Sequence, residues 1–224
     1  MIEDPYKKSA QFYDAFVEPF TIVLRNNILK MNPPEKGMHV LEVGCGTGIN
    51  LQFYQKFGCS VYGIDLSPSM VGFARKKFGR QVDIKLENAS RMSYPRDFFD
   101  LVIAMLTLHE MPDSIRPLVM NEMVRVMKKN GRLLLVDFHP GPISFPQGWL
   151  SKIIILFFEK AAGKEHYQNY KNFIAAKGLP PLIKQNNLYI RQKRIVSGGN
   201  LALFSTASVT RLKHNLTKND FSPK

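Results

Sequence analysis

Apolar and polar residues follow a regular alternation in the middle of the chain. Between residues 37 and 140, short apolar runs of strand length alternate with stretches in which apolar residues recur at helical spacing. This alternation predicts a doubly wound α/β sheet with parallel strands. Ligands of such sheets bind beyond the carboxyl ends of the strands, where the strand order reverses. We therefore expect the functional residues at these ends.

The flanking segments have other patterns. Residues 5–31 predict one or two helices, and Pro19 predicts a helix break or start within them. After a proline-rich break, residues 149–158 are apolar all round. This run is too short to span a bilayer, which needs about 20 apolar residues. The last predicted elements are two helices and two strands: 164–177, a short helix that ends near 186, 188–196 and 200–205.

Residues 40–48 contain the most informative motif. An apolar run includes Glu42, and Gly44, Gly46 and Gly48 follow at alternating positions. Glycines allow positive φ and let a ligand lie directly on the backbone. The dinucleotide fingerprint has the spacing G-x-G-x-x-G, whereas the third glycine comes one residue early here. The acid would repel a pyrophosphate, so it suits a ligand with an ammonium group and no phosphate, such as S-adenosylmethionine (SAM).

With this E-x-G-x-G-x-G pattern, the chain resembles the class I SAM-dependent methyltransferases. Further matches follow in the family's order over roughly residues 38–140. They are a second strand Val61–Asp65, a turn and helix cap Leu66–Met70, the segment Glu87–Ala89 after the third strand, a fourth strand Phe98–Ala104, and a helix end, glycine turn and fifth strand over Val126–Asp137. The subgroup that it most resembles modifies quinones and lipids.

The resemblance implies a Rossmann-like sheet of seven strands with helices on both faces and an antiparallel pair of final strands. It further implies an N-terminal helical cap and a helical insertion before the last strands. The expected single methyltransferase domain covers residues 1–206, followed by a basic tail. The expected parts are a cap at 1–36, a SAM-binding core at 37–140, an acceptor-site insertion at 141–187, final strands at 188–206 and the tail at 207–224.

The resemblance also implies roles for individual residues. Glu42 would hold the SAM ammonium group directly or through water, and Asp65 would accept hydrogen bonds from both ribose hydroxyls. Asp65 could instead cap the following helix. Glu87 and Asn88 stand where the family more often has Gly-Asp. The expected SAM-binding residues are Glu42, Gly44, Cys45, Gly46, Gly48, Asp65, Leu66, Met70, Asn88, Ala89 and Met105.

Methyl transfer from a sulfonium depends mainly on the positioning of donor and acceptor. A general base is needed only if the acceptor arrives protonated. His109 and His139 follow predicted strands at their carboxyl ends, and Asp137 could orient a histidine. Tyr13 resembles the aromatic residue that closes the SAM pocket. All four could equally be structural.

The expected acceptor pocket includes an N-terminal tyrosine and part of the insertion. Its residues are Tyr6, His166, Tyr167 and Tyr170. Insertions at this place shape the acceptor pocket in the family, and Tyr167, Tyr170 and Phe173 trace one face of the predicted helix. The same stripe would be expected of simple core packing. The expected acceptor is a small hydrophobic or amphiphilic molecule.

A net charge of +13 implies attraction to an anionic partner, or a basic surface without a specific partner. Trp149 and Lys152 would suit a helix that lies flat on an anionic membrane. The alternative is a buried helix that covers the sheet.

Nucleic-acid or protein methylation is a second functional class. The segment Asn32–Glu35 is superficially similar to an N-P-P-[YF] motif, but that motif belongs at the end of the fourth strand. A third class is a non-catalytic SAM-binding protein. Two cysteines, no visible signal peptide and no metal-ligand spacing favour a cytoplasmic protein without a metal, with possible peripheral binding to a membrane.

Overall fold

The computed structural model describes residue 4 and residues 10–209, with the side chains of residue 4 and of residues 21–209 except residue 80. Tyr6, the Tyr13 side chain and the predicted tail beyond residue 209 lie outside this description. The helices are α1 Ala10–Met31, α2 Ile49–Lys56, α3 Pro68–Phe78, α4 Arg116–Val126, α5 Gln147–Ala161, α6 Lys164–Ala175 and α7 Leu179–Gln185. The strands are β1 His39–Val43, β2 Ser60–Asp65, β3 Asp83–Leu86, β4 Phe99–Met105, β5 Met127–Phe138, β6 Leu188–Val196 and β7 Leu201–Ser208.

These strands form one seven-stranded sheet in the order β3-β2-β1-β4-β5-β7-β6. The pairs from β3 to β5 are parallel, whereas β7 runs antiparallel to both β5 and β6. The order reverses between β1 and β4, so the glycine loop after β1 opens into the crevice where ligands of such sheets bind. The predicted Rossmann-like fold is confirmed.

The central strands are buried on both faces, which explains their continuous apolar runs. In β1, Val40, Leu41 and Val43 are fully buried, and the middle of β4 from Leu101 to Ala104 is also buried. Helix α1 adds Leu24, Ile28 and Met31 to the same core. This core fixes the carboxyl ends of β1 and β4 relative to each other, and so positions the loops that follow them.

Two local predictions are wrong. Helix α1 continues through Pro19, where a break or start was predicted. The glycine turn predicted at residues 130–131 is part of β5, with Gly131 outside the positive-φ region. The register passes from Phe99↔Met127 to Leu101↔Arg132, so β5 advances by five residues while β4 advances by two, which is an irregular bulge. A Cβ on Gly131 would lie 2.9 Å from the Phe99 carbonyl oxygen, so glycine is needed there for close packing.

Helix α5 has one side on the protein and one wide side in solvent. The exposed side and the preceding turn carry large apolar residues, each between 37% and 83% exposed within the described part of the chain. We call these residues the α5 apolar face: Phe145, Trp149, Leu150, Ile153, Ile154, Phe157 and Phe158. The interpretation of this helix as a buried cover of the sheet is therefore wrong. None of the described helices is long and apolar enough to cross a bilayer.

Candidate functional site

The glycine loop has the backbone geometry that its sequence predicts. Gly44, Gly46 and Gly48 have φ values of 68°, 53° and 78°. A Cβ on Gly44 would lie 2.3 Å from Thr107 Oγ1, and one on Gly48 would lie 2.5 Å from Phe78 Cε2. A Cβ on Gly46 would meet no described atom within 4 Å. Two glycines are therefore required by packing, whereas Gly46 leaves a bare, open stretch of backbone on which a ligand would fit.

Asp65 lies at the carboxyl end of β2, beside this loop. Its Oδ2 accepts a hydrogen bond of 2.8 Å from Gly46 N–H, and its Oδ1 accepts one of 2.8 Å from Ser67 N–H. Burial raises the pKa of Asp65, although the backbone hydrogen bonds from Ser67 and Gly46 oppose this rise. Each oxygen keeps a lone pair for further donors, so the carboxylate is fixed and could still accept bonds from ribose hydroxyls.

The N-terminus of α3 is capped by residues other than Asp65. Ser67 is the N-cap, and its Oγ accepts a hydrogen bond of 3.1 Å from Met70 N–H. Asp4 accepts bonds from Ser67 Oγ at 2.7 Å and from Ser69 N–H at 3.0 Å. Capping of α3 is therefore provided by Ser67 and Asp4, which weakens the interpretation of Asp65 as a helix cap. Asp4 was not predicted, because a contact over more than sixty residues leaves no local pattern.

Glu42 is almost fully buried at the end of β1. Its Oε1 accepts a hydrogen bond of 2.5 Å from Asn50 Nδ2, and Asn50 Oδ1 accepts one of 2.8 Å from Arg25 Nε. Its Oε2 is buried and has no hydrogen-bond partner among the described residues. Burial raises the pKa of Glu42 to about 8, although the hydrogen bond from Asn50 and the charge of Arg25 oppose this rise. The unpartnered oxygen fits a cationic group such as the SAM ammonium.

The residues predicted to lie near the adenine ring differ in their exposure. Leu66 is exposed, whereas Met70 and Ala89 are buried. Asn88 is exposed, and its Oδ1 accepts hydrogen bonds from Ser90 N–H and Oγ at 2.9 and 2.8 Å. These hydrogen bonds use the amide oxygen of Asn88, so its amide nitrogen could still donate to an adenine ring.

Two further predicted SAM-binding residues lie beside the hydrogen bonds of Glu42 or within the glycine loop. Met105 Sδ lies 3.6 Å from Asn50 Nδ2, beside the Glu42 hydrogen bond. Cys45 is buried within the glycine loop, and this burial raises the pKa of its thiol. Cys45 therefore stays a neutral thiol at this position.

His109 and Asp137 meet where β4 and β5 end. His109 Nδ1 lies 2.8 Å from Asp137 Oδ1. Asp137 also accepts backbone hydrogen bonds from Leu108 and His109 at Oδ2 and from Phe138 at Oδ1. Asp137 is thus held by several donors and orients the imidazole.

The charge state of His109 follows from its neighbours. Burial lowers the pKa of His109, but Asp137, by charge and hydrogen bond, and then Glu110 and Glu159 outweigh it and raise this pKa to about 9. An imidazole with that pKa is protonated at neutral pH, and a protonated imidazole can donate a proton but cannot accept one. This charge state does not favour the predicted role of His109 as a general base.

The helical insertion closes over His109. His109 Nε2 lies 3.6 Å from Glu159 Oε1 on α5, and His166 Nε2 on α6 lies 3.0 Å from Glu159 Oε2. The rings of Phe138 and His166 lie 4.6 and 5.5 Å from the His109 ring. Glu159 was missed by the sequence analysis because it ends an apolar run and resembles a boundary charge.

His139 has other neighbours. Its Nδ1 lies 3.1 Å from the Gly199 carbonyl oxygen and 3.3 Å from Gly141 N. These groups belong to the turn before α5 and to the β6–β7 connection. The described contacts of His139 therefore support a structural role, and they do not include His109.

The predicted acceptor stripe divides into a buried and a half-buried part. Tyr170 is buried, and its hydroxyl accepts a hydrogen bond of 2.5 Å from Lys152 Nζ. Tyr167 stacks on Tyr170 at 6.2 Å and has Lys160 and Lys171 within 5.6 Å of its ring centre. Of the pair, Tyr167 is the better placed to face a ligand.

Arg116 connects the loop after β4 to the insertion, and the sequence analysis did not single it out. Its Nε donates to the Leu108 carbonyl oxygen at 2.9 Å, and its Nη2 donates to the Asn169 carbonyl oxygen at 2.7 Å. Asn169 Nδ2 in turn donates to the Glu110 carbonyl oxygen at 2.7 Å. These bonds fix the position of α6 over His109.

Asn32 lies far from this site in the fold. It is fully buried before β1, and its Oδ1 accepts a hydrogen bond of 2.9 Å from Ser205 Oγ. The segment from Asn32 to Glu35 leads into the amino end of β1, whereas the site lies at the carboxyl ends. Asn32 therefore packs in the core, and its similarity to the first residue of the N-P-P-[YF] motif has no counterpart in the site.

Comparison with known proteins agrees with this geometry. Residues 41–135 match the family of the methyltransferase domain. A phosphatidylethanolamine N-methyltransferase of Cereibacter sphaeroides is 35% identical over 107 residues, which cover 46% of this chain and 51% of that protein. A demethylmenaquinone methyltransferase of Bacillus mycoides (strain KBAB4) is 26% identical over 184 residues, covering 77% of this chain and 76% of that protein.

The chain thus spans about half the length of the first of these relatives and three quarters of the second. A SAM-dependent methyltransferase from Aquifex aeolicus shares the fold, with a TM-score of 0.63 and 18% identity over 89% of this chain and 98% of that one. The sheet order, the glycine loop and these matches lead to one conclusion. Residues 41–135 form a SAM-dependent methyltransferase domain within a sheet of the class I fold, and the cofactor that this domain implies is SAM.

Proposed function

We propose that this domain transfers the methyl group of SAM to a small amphiphilic acceptor that it meets at an anionic membrane surface. The observation that carries the acceptor proposal is the two-sided character of α5. One side of this helix presents the α5 apolar face to solvent, and the other places Glu159 beside His109 at the carboxyl ends of β4 and β5. An amphiphile whose apolar part is held at the α5 apolar face would have its polar head near Glu159 and His109.

The α5 apolar face has the properties of a surface that lies in a lipid interface. Contiguous exposed apolar patches commonly mark interaction sites, and a flat helix with Trp and Phe on its apolar side suits the boundary of the acyl chains. Burial of each large side chain would contribute about 1.5–3 kcal/mol. The net charge of +13, with Lys160 in the last turn of α5 and Lys164 at the start of α6, would add attraction to anionic headgroups.

SAM would be held on the opposite side of the crevice. The backbone at Gly46 is open, Asp65 would bind the ribose hydroxyls, and Glu42 would bind the ammonium group. Methyl transfer is then an in-line displacement, in which the acceptor atom forms the new bond as the sulfonium carbon–sulfur bond breaks. Positioning can supply most of the acceleration, so the proposal requires no dedicated base.

The names of the relatives support the same acceptor class. One is a phosphatidylethanolamine N-methyltransferase and the other a demethylmenaquinone methyltransferase. Both names refer to lipids, one with an amine head and the other with a quinone head. Their shared property is amphiphilicity, so we propose the class of acceptor and not a particular head group.

The test is a transfer assay with methyl-labelled SAM, a total lipid extract and, in parallel, nucleic acid. We expect label in the lipid fraction with the wild-type chain and none with Asp65→Ala. SAM binding without label in lipid would overturn the acceptor proposal, and label in nucleic acid would favour the second functional class. Absence of SAM binding would overturn the methyl-transfer proposal itself.

A further inference from the structure

Three potential metal ligands converge from separate elements. His109 follows β4, Glu159 lies on α5 and His166 lies on α6, and their ligand atoms all lie within 4.8 Å of one another. We propose that these three side chains bind one divalent transition-metal ion, with Zn²⁺ as the expected metal. This proposal revises the expectation of no metal, which rested on the absence of a short ligand spacing in the sequence.

The distances are close to those of a metal site. Zn²⁺ is bound by histidine nitrogens and carboxylate oxygens at about 2.0–2.2 Å, so tetrahedral ligand atoms lie about 3.3–3.5 Å apart. Glu159 Oε1 lies 3.6 Å from His109 Nε2, and Glu159 Oε2 lies 3.0 Å from His166 Nε2. Since all three ligand atoms lie within 4.8 Å of one another, small side-chain rotations would bring them to one ion.

The surroundings of His109 are those of a metal ligand. Metal-bound histidines usually donate their other ring N–H to a carboxylate, which fixes the ring and its tautomer. His109 Nδ1 faces Asp137 Oδ1 at 2.8 Å, and three backbone N–H groups hold that carboxylate. His109 therefore directs Nε2 toward Glu159 with its orientation already set.

The local charge also favours a cation. The carboxylates of Asp137 and Glu159 both lie against His109, within 2.8 and 3.6 Å of its ring nitrogens. Nearby cations have other partners, because Lys152 donates to Tyr170 and Arg116 donates to backbone carbonyl oxygens and pairs with Asp113. A divalent ion would displace the proton from His109 Nε2 and would itself neutralise the two carboxylates where they meet the imidazole.

The donor set selects among metals. Two imidazoles and one carboxylate suit Zn²⁺ and similar transition metals, whereas Mg²⁺ and Ca²⁺ prefer sets made of oxygen alone. Three protein ligands leave a fourth position open, as in catalytic zinc sites. An ion here could bind a water or an acceptor oxygen.

The experiment titrates the chelator-treated chain of 224 residues with Zn²⁺, Co²⁺ and Mg²⁺ by calorimetry, without SAM or acceptor. We expect one Zn²⁺ per chain, a visible absorption band with Co²⁺ typical of low coordination number, and no Mg²⁺ binding at the same concentration. Glu159→Gln and His166→Gln should each weaken Zn²⁺ binding at least tenfold. His39→Gln, which alters a histidine outside the cluster, should retain it.

Circular dichroism melting of each variant shows whether it is folded before it is titrated. Failure of the wild-type chain to bind Zn²⁺, or wild-type affinity in both cluster variants, would overturn the proposal and leave a cluster held by ion pairs alone. Since neither SAM nor acceptor is present, the result does not depend on the proposed methyl transfer.

Discussion

The two sides of the ligand crevice differ in how their polar groups are satisfied. At β1 and β2, Glu42 keeps a buried oxygen without a partner among the described residues, and the backbone at Gly46 is open. At β4 and β5, Asp137 is saturated with hydrogen bonds and His109 is covered by the insertion. The first side holds its binding capacity inside the protein, whereas the second pairs Asp137 with His109 inside and presents an exposed apolar surface outward, on α5.

The largest expected effect tests the first side. Asp65→Ala should abolish detectable SAM binding, because it removes the acceptor of both ribose hydroxyls and also the partner of Gly46 N–H. Equilibrium dialysis with labelled SAM measures the loss. Asp83→Ala, a change at the exposed start of the neighbouring strand β3, serves as the matched control and should bind SAM normally. Unchanged affinity of Asp65→Ala would remove the ribose assignment.

The second prediction tests the outward side. Trp149→Ser with Phe157→Ser should lower binding to anionic vesicles at least tenfold, because each side chain would contribute about 1.5–3 kcal/mol of burial. Sedimentation with vesicles at low and high salt measures the partitioning. Phe57→Ser is a matched control, since Phe57 is 57% exposed after α2 and outside the α5 apolar face. Equal losses in both proteins, or no wild-type binding at low salt, would contradict membrane docking.

The third prediction uses Glu42, whose buried Oε2 has no hydrogen-bond partner among the described residues. The pKa of Glu42 is about 8 in the folded chain, above its ordinary value, so the protonated form favours folding. Its contribution is fully present below about pH 4 and is lost as pH rises toward 8, at about 1.4 kcal/mol per pKa unit. We expect the free energy of unfolding of the SAM-free chain to fall by a few kcal/mol over this window, and Glu42→Gln to remove that fall.

Chemical denaturation at several pH values measures this slope. SAM should restore stability at pH 8 in the wild-type chain, because its ammonium group would pair with the ionised carboxylate. It should do so less in Glu42→Gln. An identical pH slope in the two proteins would contradict the burial of an unpaired carboxylate.

The smallest effect separates the glycines of one loop. Gly46→Ala should cost about 1–2 kcal/mol of stability, from its positive φ alone. Gly44→Ala should cost more, because its Cβ would also meet Thr107 at 2.3 Å. Thermal melting ranks the two variants, and SAM titration of the folded Gly46→Ala chain should show weaker binding. Equal destabilisation would show that packing against Thr107 is not what requires Gly44.

The sheet was predictable because its information is local. The apolar run gives β4 closely, since a buried strand needs apolar residues wherever it lies. The glycine loop was also predictable from local information, because a positive φ favours glycine at each of its three positions. The bulge at Gly131 was mistaken for a turn, since a glycine that admits close packing looks the same in sequence as one that turns the chain.

The partners of the site residues were not predictable. His109 was found because it follows a strand, but Glu159 lies at the end of an apolar run and its contact depends on how α5 packs. Asn50 and Arg25 form a row of hydrogen bonds that ends at Glu42. No sequence spacing predicts this row, because Arg25 lies on α1, far from Glu42 in the sequence. The orientation of α5 itself was open, since an all-round apolar helix has no sequence signal for which side faces the protein.

The contacts of α5 also have a practical consequence for handling the protein. Glu159 faces His109 and His166, and Lys152 bonds to Tyr170, so the helix cannot roll about its axis to hide its outer side without breaking these contacts. In plain buffer, the purified protein should therefore self-associate as its concentration rises. Mild detergent micelles should disperse these particles, which makes the choice of solubilising agent part of any preparation.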